Sequence, residues 1–276
     1  MTRPGRFRLS RAHPWWRRAY YRALELTGRP RFKSHRASFI DFPRQRFKQV
    51  SFSNASEARR VEDNLRALRP LGLFPRFLFR LEGTVWTQFA EGVRVDPQNP
   101  EHVNGVLAFF ARLYGHEPIQ VDVDATDLQQ RLLDNLNGLV AMGELDDPAY
   151  EQLATLAERL RPERAWMGCE YIDPLPKNFV VTGNGVVGID AEALYRRELL
   201  GIGLAKAELR WLKMDRNALV AALIQHGGPD LGDQYDYANL YFLAHYGVQS
   251  VLRGKGARGC RAGMERLLEQ HANQGT

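Results

Sequence analysis

The stretch from Tyr171 to Ala193, YIDPLPKNFVVTGNGVVGIDAEA, places polar side chains in and beside apolar, strand-like sequence. Two apolar, strand-like runs flank a Gly-Asn-Gly turn at 183–185, and this pattern predicts a β-hairpin. Asn178 stands at the start of the first strand and Asp190 at the end of the second. The hairpin is therefore expected to bring an amide oxygen and a carboxylate to one end.

This pair of oxygen donors predicts a metal site. Mg²⁺ binds through one or two carboxylates together with substrate phosphates, rather than in a cage made only of protein. Asp173 precedes the hairpin on a loop that Pro174 and Pro176 keep from becoming helical. A carboxylate in such a loop can accept a proton from a hydroxyl nucleophile. The stretch thus indicates metal ions and a phosphate held beside a general base.

Size and composition set the class of protein. The chain has 276 residues, of which 44% are hydrophobic, so it can bury the core of one large domain or two lobes. A net charge of +6 predicts an anionic partner such as a nucleotide, nucleic acid, phospholipid or acidic glycan. The two cysteines, Cys169 and Cys260, argue against a disulfide scaffold or structural zinc. No apolar stretch approaches the ~20 residues that span a bilayer, so we expect a cytoplasmic protein, with peripheral contact at the inner membrane face as an option.

The order of elements predicts a two-lobed α+β protein. Strand patterns on both sides of one predicted helix fill the first part, and amphipathic helices fill the rest, with the hairpin as an isolated β element. The predicted parts are a basic amphipathic segment 1–30, an N-lobe 31–95 and a C-lobe 96–276, with a hinge at 97–100.

The N-terminal segment mixes aromatic and basic residues. Trp15 and Trp16 stand beside Arg17 and Arg18 in a predicted helix. Such a helix can rest on an anionic membrane surface, or it can pack its aromatic side chains on the body of the protein.

The pattern D-x-x-x-x-N, strand, Gly turn, strand, Asp resembles the catalytic and metal loops of the protein-kinase-like superfamily. The likeness is greatest to its small-molecule (aminoglycoside phosphotransferase-like) and lipopolysaccharide core kinase branches, where HGDLHPGN…IDFE is usual. The resemblance implies ATP and Mg²⁺ as cofactors, with Asp173 orienting or deprotonating the acceptor hydroxyl. It also implies metal ligation by Asn178 and Asp190, with Glu192 as a second acidic group near the metals. Lys177 is a candidate for steadying the transferring phosphoryl group, and a solvated loop lysine is the alternative.

The same resemblance assigns roles in the N-lobe. RFKQVSF would be the third strand and would place Lys48 on the α- and β-phosphates. Its ion-pair partner would come from the next helix, with Glu62 chosen and Glu57 as the alternative. VWTQFAEG resembles the strand and hinge beside the adenine, whose backbone contacts would come from Gln88, Phe89 and Ala90.

Four departures from the superfamily pattern stand out. Tyr171 occupies the place of the usual His, and PLPK stands where LHPG is common. Ala191 follows Asp190 in place of Phe or Trp, and no Gly-rich loop precedes Lys48. These departures keep open a pseudokinase that binds a nucleotide or a partner without turnover.

The sequence therefore predicts an ATP- and Mg-dependent phosphotransferase acting on a hydroxyl of a small molecule or glycan. The basic N-terminus favours a membrane-proximal acceptor such as a lipopolysaccharide core sugar. A nucleic-acid binder has only charge in its favour, since the chain shows no recognition-helix, RNA-binding or zinc-finger signature. A hydrolase using Asp173 and Glu192 is conceivable, but it leaves Asn178 and Lys48 without roles.

Overall fold

A computed structural model describes residues 29–32, 37–42 and 46–272 of the chain. The predicted helix of the N-terminal segment and the turn at 43–44 lie outside the described residues. The chain divides into two compact units. The first comprises the described residues up to Gly105 together with Pro176–Leu194, and the second comprises Val106–Leu175 and the described residues from Tyr195 onward. The lobe boundaries predicted at residues 95 and 96 stay a prediction.

The described residues of the first unit form an antiparallel sheet and the helix α1 (Ala55–Ala67). Asn54 is the N-cap of the helix, since its side-chain oxygen accepts a hydrogen bond from the backbone N–H of Ser56 at 2.8 Å. The helix buries Val61 and Leu65 on one face, as their helical spacing predicts. The sheet has the strand order β1-β2-β3-β5-β4, with β1 Arg29–Phe32, β2 Ala37–Phe42, β3 Phe47–Phe52, β4 Phe77–Leu81 and β5 Thr84–Gln88.

The predicted hairpin forms in the same unit from β9 (Phe179–Thr182) and β10 (Gly185–Gly188). It is not an isolated hairpin, because β6 (Val93–Arg94) pairs antiparallel with β9 and makes a sheet in the order β10-β9-β6. Gly92 permits this pairing, since a Cβ there would lie 2.0 Å from the carbonyl oxygen of Val181. Two residues of strand are too few for alternation to be visible in a sequence.

The second unit is mainly helical, which with the first unit confirms the predicted α+β fold class of a small β-rich part and a larger helical part. Leucines at helical spacing fill its core, for example Leu132, Leu136 and Leu139, each fully buried. Its elements include α2 (Pro100–Tyr114, which begins in the first unit), α3 (Leu128–Ala141), α4 (Asp147–Leu160), α5 (Ile202–Arg210), α6 (Arg216–Gln225), α7 (Tyr235–Leu252) and α8 (Arg258–Ala272).

The second unit also contains a sheet that the sequence did not predict. β7 (Ile119–Asp122), β8 (Arg164–Tyr171) and β11 (Leu194–Leu199) form it in the order β11-β8-β7. Alternate residues of β8 are buried, with Ala165, Met167 and Cys169 inward, so the period of two was present in the sequence. β8 runs directly into the loop that carries Asp173. In the part of the chain that the structure describes, no helix is long and apolar enough to cross a membrane.

Candidate functional site

Lys48 and Asp190 form an ion pair in the first unit. Lys48 lies on β3, and its Nζ is 3.7 Å from Oδ1 of Asp190, which follows β10. The lysine also donates a hydrogen bond to the carbonyl oxygen of Ile189 at 3.0 Å. Both side chains are largely buried, with 12% of the lysine and 5% of the aspartate exposed. A cation and a carboxylate that sequence alone kept 142 positions apart are thus neighbours.

The hairpin brings Asn178 and Asp190 to one end, as its geometry predicts. The backbone N–H of Ile189 donates to the carbonyl oxygen of Asn178 at 2.9 Å, which ties the start of the first strand to the end of the second. Asn178 closes a 3₁₀ turn (Pro176–Asn178), and both it and Asp190 are buried. Among the described residues, no cluster of three or more His, Cys, Asp or Glu side chains is arranged to hold a metal. The end of the hairpin thus carries one carboxylate and one amide, which are the kinds of oxygen donor that Mg²⁺ takes in proteins when substrate phosphates supply further ligands.

Glu192 lies in the next 3₁₀ turn (Ala191–Ala193) and is partly buried. The turn is anchored to α1, because Arg60 donates to the carbonyl oxygens of Glu192 at 3.0 Å and of Leu194. Asn64 of α1 also donates to the carbonyl of Leu194 at 2.9 Å. Helix α1 thereby fixes the segment that follows Asp190.

Lys177 is exposed on the hairpin loop. Its carbonyl oxygen accepts a hydrogen bond from Arg94 of β6 at 2.6 Å, so the backbone at this position is held while the side chain faces solvent. This placement leaves both interpretations of Lys177 open.

Glu62 of α1 has arginine partners. Its carboxylate is 2.6 Å from Nε of Arg80 and 2.9 Å from a guanidinium nitrogen of Arg66. Burial raises the pKa of Glu62, but the two arginines outweigh it and hold the pKa below its ordinary value. The carboxylate of Glu62 thus pairs with arginines of α1 and β4, and its pairing with Lys48 stays a prediction. Glu57, the alternative, lies in the first turn of α1.

The segment predicted to meet an adenine ends β5. The backbone N–H groups of Gln88 and Phe89 donate to the carbonyls of Arg76 and Arg46, each at 2.8 Å. These two N–H groups are already hydrogen-bonded within the first unit. An adenine contact here would therefore have to use the carbonyl oxygens of Gln88 and Phe89, or the backbone of Ala90.

Asp173 lies in the second unit, where it forms an ion pair with Lys206 of α5. The Nζ of Lys206 is 2.7 Å from Oδ1 of Asp173 and 3.0 Å from the carbonyl oxygen of Ile172. Trp211 donates its indole N–H to the carbonyl of Pro174 at 2.7 Å. Lys206 and Trp211 thus hold the loop through the residues directly before and after Asp173 as well as through Asp173 itself.

Sequence reasoning missed Lys206. The signal for it was present, because it is a lysine between Ala205 and Ala207 in an apolar helix, and these two neighbours are buried. The lysine itself is 11% exposed. A lysine so placed requires a partner for its charge.

A buried carboxylate positions the start of α5. Glu170, fully buried at the end of β8, accepts hydrogen bonds from the hydroxyl of Tyr114 and from the backbone N–H of Gly201. A Cβ at Gly203 would lie 2.4 Å from the carbonyl oxygen of Tyr171 and 2.5 Å from Oε1 of Glu170, so only glycine allows α5 to approach β8 this closely. Burial raises the pKa of Glu170 to about 7, against hydrogen bonds that favour its charged form.

Tyr171, in the place of the usual histidine, is a core residue. It is fully buried, and its ring packs edge-on against Phe109 with centroids 5.7 Å apart. The side chain therefore fixes the end of β8 by packing.

A pocket of about 340 Å³ opens in the second unit beside the ion pair of Asp173. Lys206 lines it directly, as does Ile172, the neighbour of Asp173. The volume is in the range of small-molecule sites. The remaining lining residues come from α3, β11, α5, α7 and the residue that follows α7: Arg131, Tyr195, Glu198, Ile202, Tyr241, Phe242, His245, Tyr246, Gln249 and Arg253.

No protein-family model matches the chain, and no curated protein matches it by sequence. Solved structures do match. Choline kinase LicA from Streptococcus pneumoniae superposes with a TM-score of 0.63 at 11% identity, over 93% of this chain and 100% of that one. A choline/ethanolamine kinase family protein from Mesorhizobium loti gives 0.62 at 16% identity, over 95% and 94%. The GDP complex of aminoglycoside 2′-phosphotransferase-IIIa gives 0.59 at 14% identity, over 93% and 99%.

At these identities the likeness shows the fold. The chain has the protein-kinase-like fold, in the form found in choline kinases and aminoglycoside phosphotransferases. Its chemistry has to be argued from its own side chains.

Proposed function

We propose that this protein is a phosphotransferase that moves the γ-phosphoryl group of Mg·ATP to a hydroxyl of a small molecule or glycan. The observation that carries the proposal is the ion pair of Lys48 with Asp190. A buried lysine supplies a fixed positive charge for phosphate oxygens, and the buried carboxylate supplies a ligand for the accompanying metal. An ordinary structural ion pair does not need an amide oxygen such as that of Asn178 at the same hairpin end.

The residues of the first unit fit Mg²⁺ bound together with a nucleotide. Asp190 and Asn178 would hold the metal, with Glu192 as a further acidic group, and the remaining ligands would be phosphate oxygens and water. When bound, the metal would neutralise charge on the phosphates. Lys48 would contact the α- and β-phosphates, and this chain's part at the donor is therefore to bind and orient the nucleotide.

Asp173 of the second unit is proposed as the group that receives the acceptor's proton. The acceptor hydroxyl oxygen forms a bond to the γ-phosphorus, the bond from that phosphorus to the β,γ-bridging oxygen breaks, and the proton passes to the Asp173 carboxylate. ADP leaves with the electron pair of the broken bond. Lys206 is a positioning residue in this scheme, because it fixes one carboxylate oxygen.

Two features of the solved neighbours support the proposal. All three are named as kinases or phosphotransferases for small molecules, and the aminoglycoside enzyme is a GDP complex. Within this class, a lipopolysaccharide core sugar as acceptor and contact of residues 1–30 with an anionic membrane remain our proposals. Both rest on the basic, aromatic composition of that segment.

Thermal melting with nucleotides tests the donor half of the proposal. The wild-type protein is melted with ATP, with and without Mg²⁺, beside Asp190→Ala and the control Asp63→Ala, which removes an exposed carboxylate from α1 of the same unit. We expect Mg·ATP to stabilise wild type and Asp63→Ala by about 2.7 kcal/mol at a hundredfold excess over Kd. Asp190→Ala should show no Mg-dependent rise.

Turnover distinguishes an enzyme from a binding module. ADP release is measured without acceptor and with a panel of hydroxyl compounds, for wild type and Asp173→Ala. An enzyme loses ADP release in Asp173→Ala while keeping its Mg·ATP stabilisation. Stabilisation without any ADP release would replace the phosphotransferase with the pseudokinase alternative, and absence of stabilisation would remove both.

A further inference from the structure

The pocket beside Asp173 has an excess of positive charge. Three cationic side chains line it, namely Arg131, Lys206 and Arg253, against one carboxylate, that of Glu198. Burial raises the pKa of Glu198, and the charge of the nearby Arg131 opposes that rise. Electrostatics in a concave site of this kind select the charge of the ligand.

Carboxylates near the pocket compensate the positive charge of two of the three cations, Lys206 more fully than Arg131. Lys206 is neutralised by Asp173 at 2.7 Å. Arg131 pairs with Asp127 at 3.0 Å, but 71% of that aspartate side chain is exposed, so solvent screens the pair. Arg253 caps the C-terminal end of α7, and the ion pairs among the described residues do not include it.

The aromatic rings of the pocket do not form an open cage for a cation. The guanidinium carbon of Arg131 lies 5.8 Å from the ring centre of Tyr241, and Nζ of Lys206 lies 5.1 Å from that of Tyr246. A ring face that already carries one cation repels a second. A ligand with an ammonium group would therefore meet like charge at the two rings that would otherwise recognise it.

The pKa of His245 is also affected by the positive charges of the pocket. Partial burial lowers its pKa, and the charges of Arg131 and Arg253 lower it further. The ring is therefore more often neutral, and it adds hydrogen-bonding capacity to the pocket rather than charge.

We infer that this pocket takes an anionic acceptor, a hydroxyl compound that also bears a carboxylate or phosphate group, with Arg253 and Arg131 as its anion receptor. The inference deepens the proposed function and rests on it. The solved neighbours include kinases named for choline and for aminoglycosides, which are cationic acceptors. This chain has their fold, but its pocket has the opposite charge preference.

A matched set of pyranoses tests the inference. Binding of glucuronate, glucose 6-phosphate, glucose and glucosamine is measured by ligand-observed NMR, at low salt and at high salt, with choline as a further cation. The variants are Arg253→Gln, the control Arg159→Gln, which removes an exposed arginine of α4, and Lys48→Met in the first unit. The last variant reports any anion held by the nucleotide site instead.

We expect the two anionic probes to bind at millimolar concentration or below, and glucose and glucosamine to bind more weakly. Arg253→Gln should weaken the anionic probes about tenfold, while Arg159→Gln and Lys48→Met leave them unchanged. Binding of glucosamine or choline equal to that of glucuronate would overturn the inference. So would anion binding that survives Arg253→Gln or disappears in Lys48→Met, and so would absence of binding by both anionic probes.

Melting with Mg·ATP, run on the same preparation, separates this result from the proposed function. If Mg·ATP stabilises the protein but the pocket shows no preference for anions, the phosphotransferase proposal stands and the anionic-acceptor inference is wrong. Anion selectivity without a Mg·ATP response removes the phosphotransferase, and the assignment of the anion as an acceptor falls with it.

Discussion

Lys206 binds Asp173 and its preceding peptide at the same time, with Nζ 2.7 Å from Oδ1 of the carboxylate and 3.0 Å from the carbonyl oxygen of Ile172. One ammonium group therefore fixes both the side chain and the backbone of the loop. In the superfamily pattern a histidine stands two residues before the aspartate, whereas here Tyr171 is fully buried in the core. Helix α5 therefore contributes to the orientation of Asp173 through Lys206.

Replacing Lys206 should impair the chemical step more than nucleotide binding. In Lys206→Met the carboxylate of Asp173 loses its fixed partner, and we expect ADP release to fall about 10- to 100-fold, within the range for misplacing a general base. The KM for ATP should change less than threefold, because Lys206 lies in the unit that does not contain Lys48. Steady-state kinetics measure both values.

The conservative variant Lys206→Arg separates a positioning role from a structural one. It keeps the positive charge, so it should recover part of the lost turnover. The positioning role would be contradicted if Lys206→Met lowered the melting temperature but left turnover per folded molecule at the wild-type value.

Lys48 and Glu62 should respond differently to substitution, although the sequence predicted them as one pair. Lys48→Met should raise the Kd for Mg·ATP about tenfold or more, because a charge-assisted contact to phosphate is lost. Glu62→Gln should lower the free energy of unfolding by about 1–2 kcal/mol through Arg80 and Arg66, and leave the Kd nearly unchanged. Isothermal titration and chemical denaturation measure the two quantities, with Lys255→Met as the exposed-lysine control.

The result that would count against this division is a tenfold loss of Mg·ATP affinity in Glu62→Gln with unchanged stability. That outcome would return Glu62 to the nucleotide site.

Glu170 should make the protein less stable as pH rises through neutrality. Its pKa is about 7 in the folded protein against 4.5 for an ordinary glutamate, so the folded state holds the proton more tightly. The stabilisation is fully present below pH 4.5 and is lost as pH rises through about 7, with a total of about 3 kcal/mol. Denaturation of wild type and Glu170→Gln from pH 5 to pH 8 measures it.

The comparison rests on the slope with pH, because Glu170→Gln also replaces one of the two acceptor oxygens of Glu170 with an N–H donor at every pH. The slope should be reduced in Glu170→Gln and unchanged in Glu265→Gln, an exposed glutamate of α8. Equal slopes in all three proteins would show that the buried carboxylate does not titrate in this range.

Gly203→Ala should destabilise the protein by about 1–3 kcal/mol, because the new methyl group would overlap the backbone of Tyr171. The matched control is Gly259→Ala in α8, where a Cβ meets nothing within 4 Å. That change should be neutral or stabilising by up to about 1 kcal/mol. Similar unfolding free energies for the two variants, from urea denaturation, would contradict the close approach of α5 to β8.

Elements that depend on neighbours along the chain could be predicted from the sequence. The Gly turn at 183–185 and the apolar runs beside it specify the hairpin, and a two-stranded ladder then places Asn178 near Asp190. The cap of helix α1 is also local, because the side chain of Asn54 bonds to a residue only two positions further along the chain. The order of strands before helices likewise predicted the fold class, since element type follows hydrophobic period.

The partners of the charged groups became visible through tertiary contacts. Lys48 has a carboxylate from far along the chain, Glu62 has Arg80 of strand β4, and Asp173 has Lys206 of helix α5. The strand β6 and the pocket lined from α3, β11, α5 and α7 arise in the same way. The physical reason is that charge pairing depends on distance in space, whereas periodicity, capping and turn propensity act within a few residues of sequence.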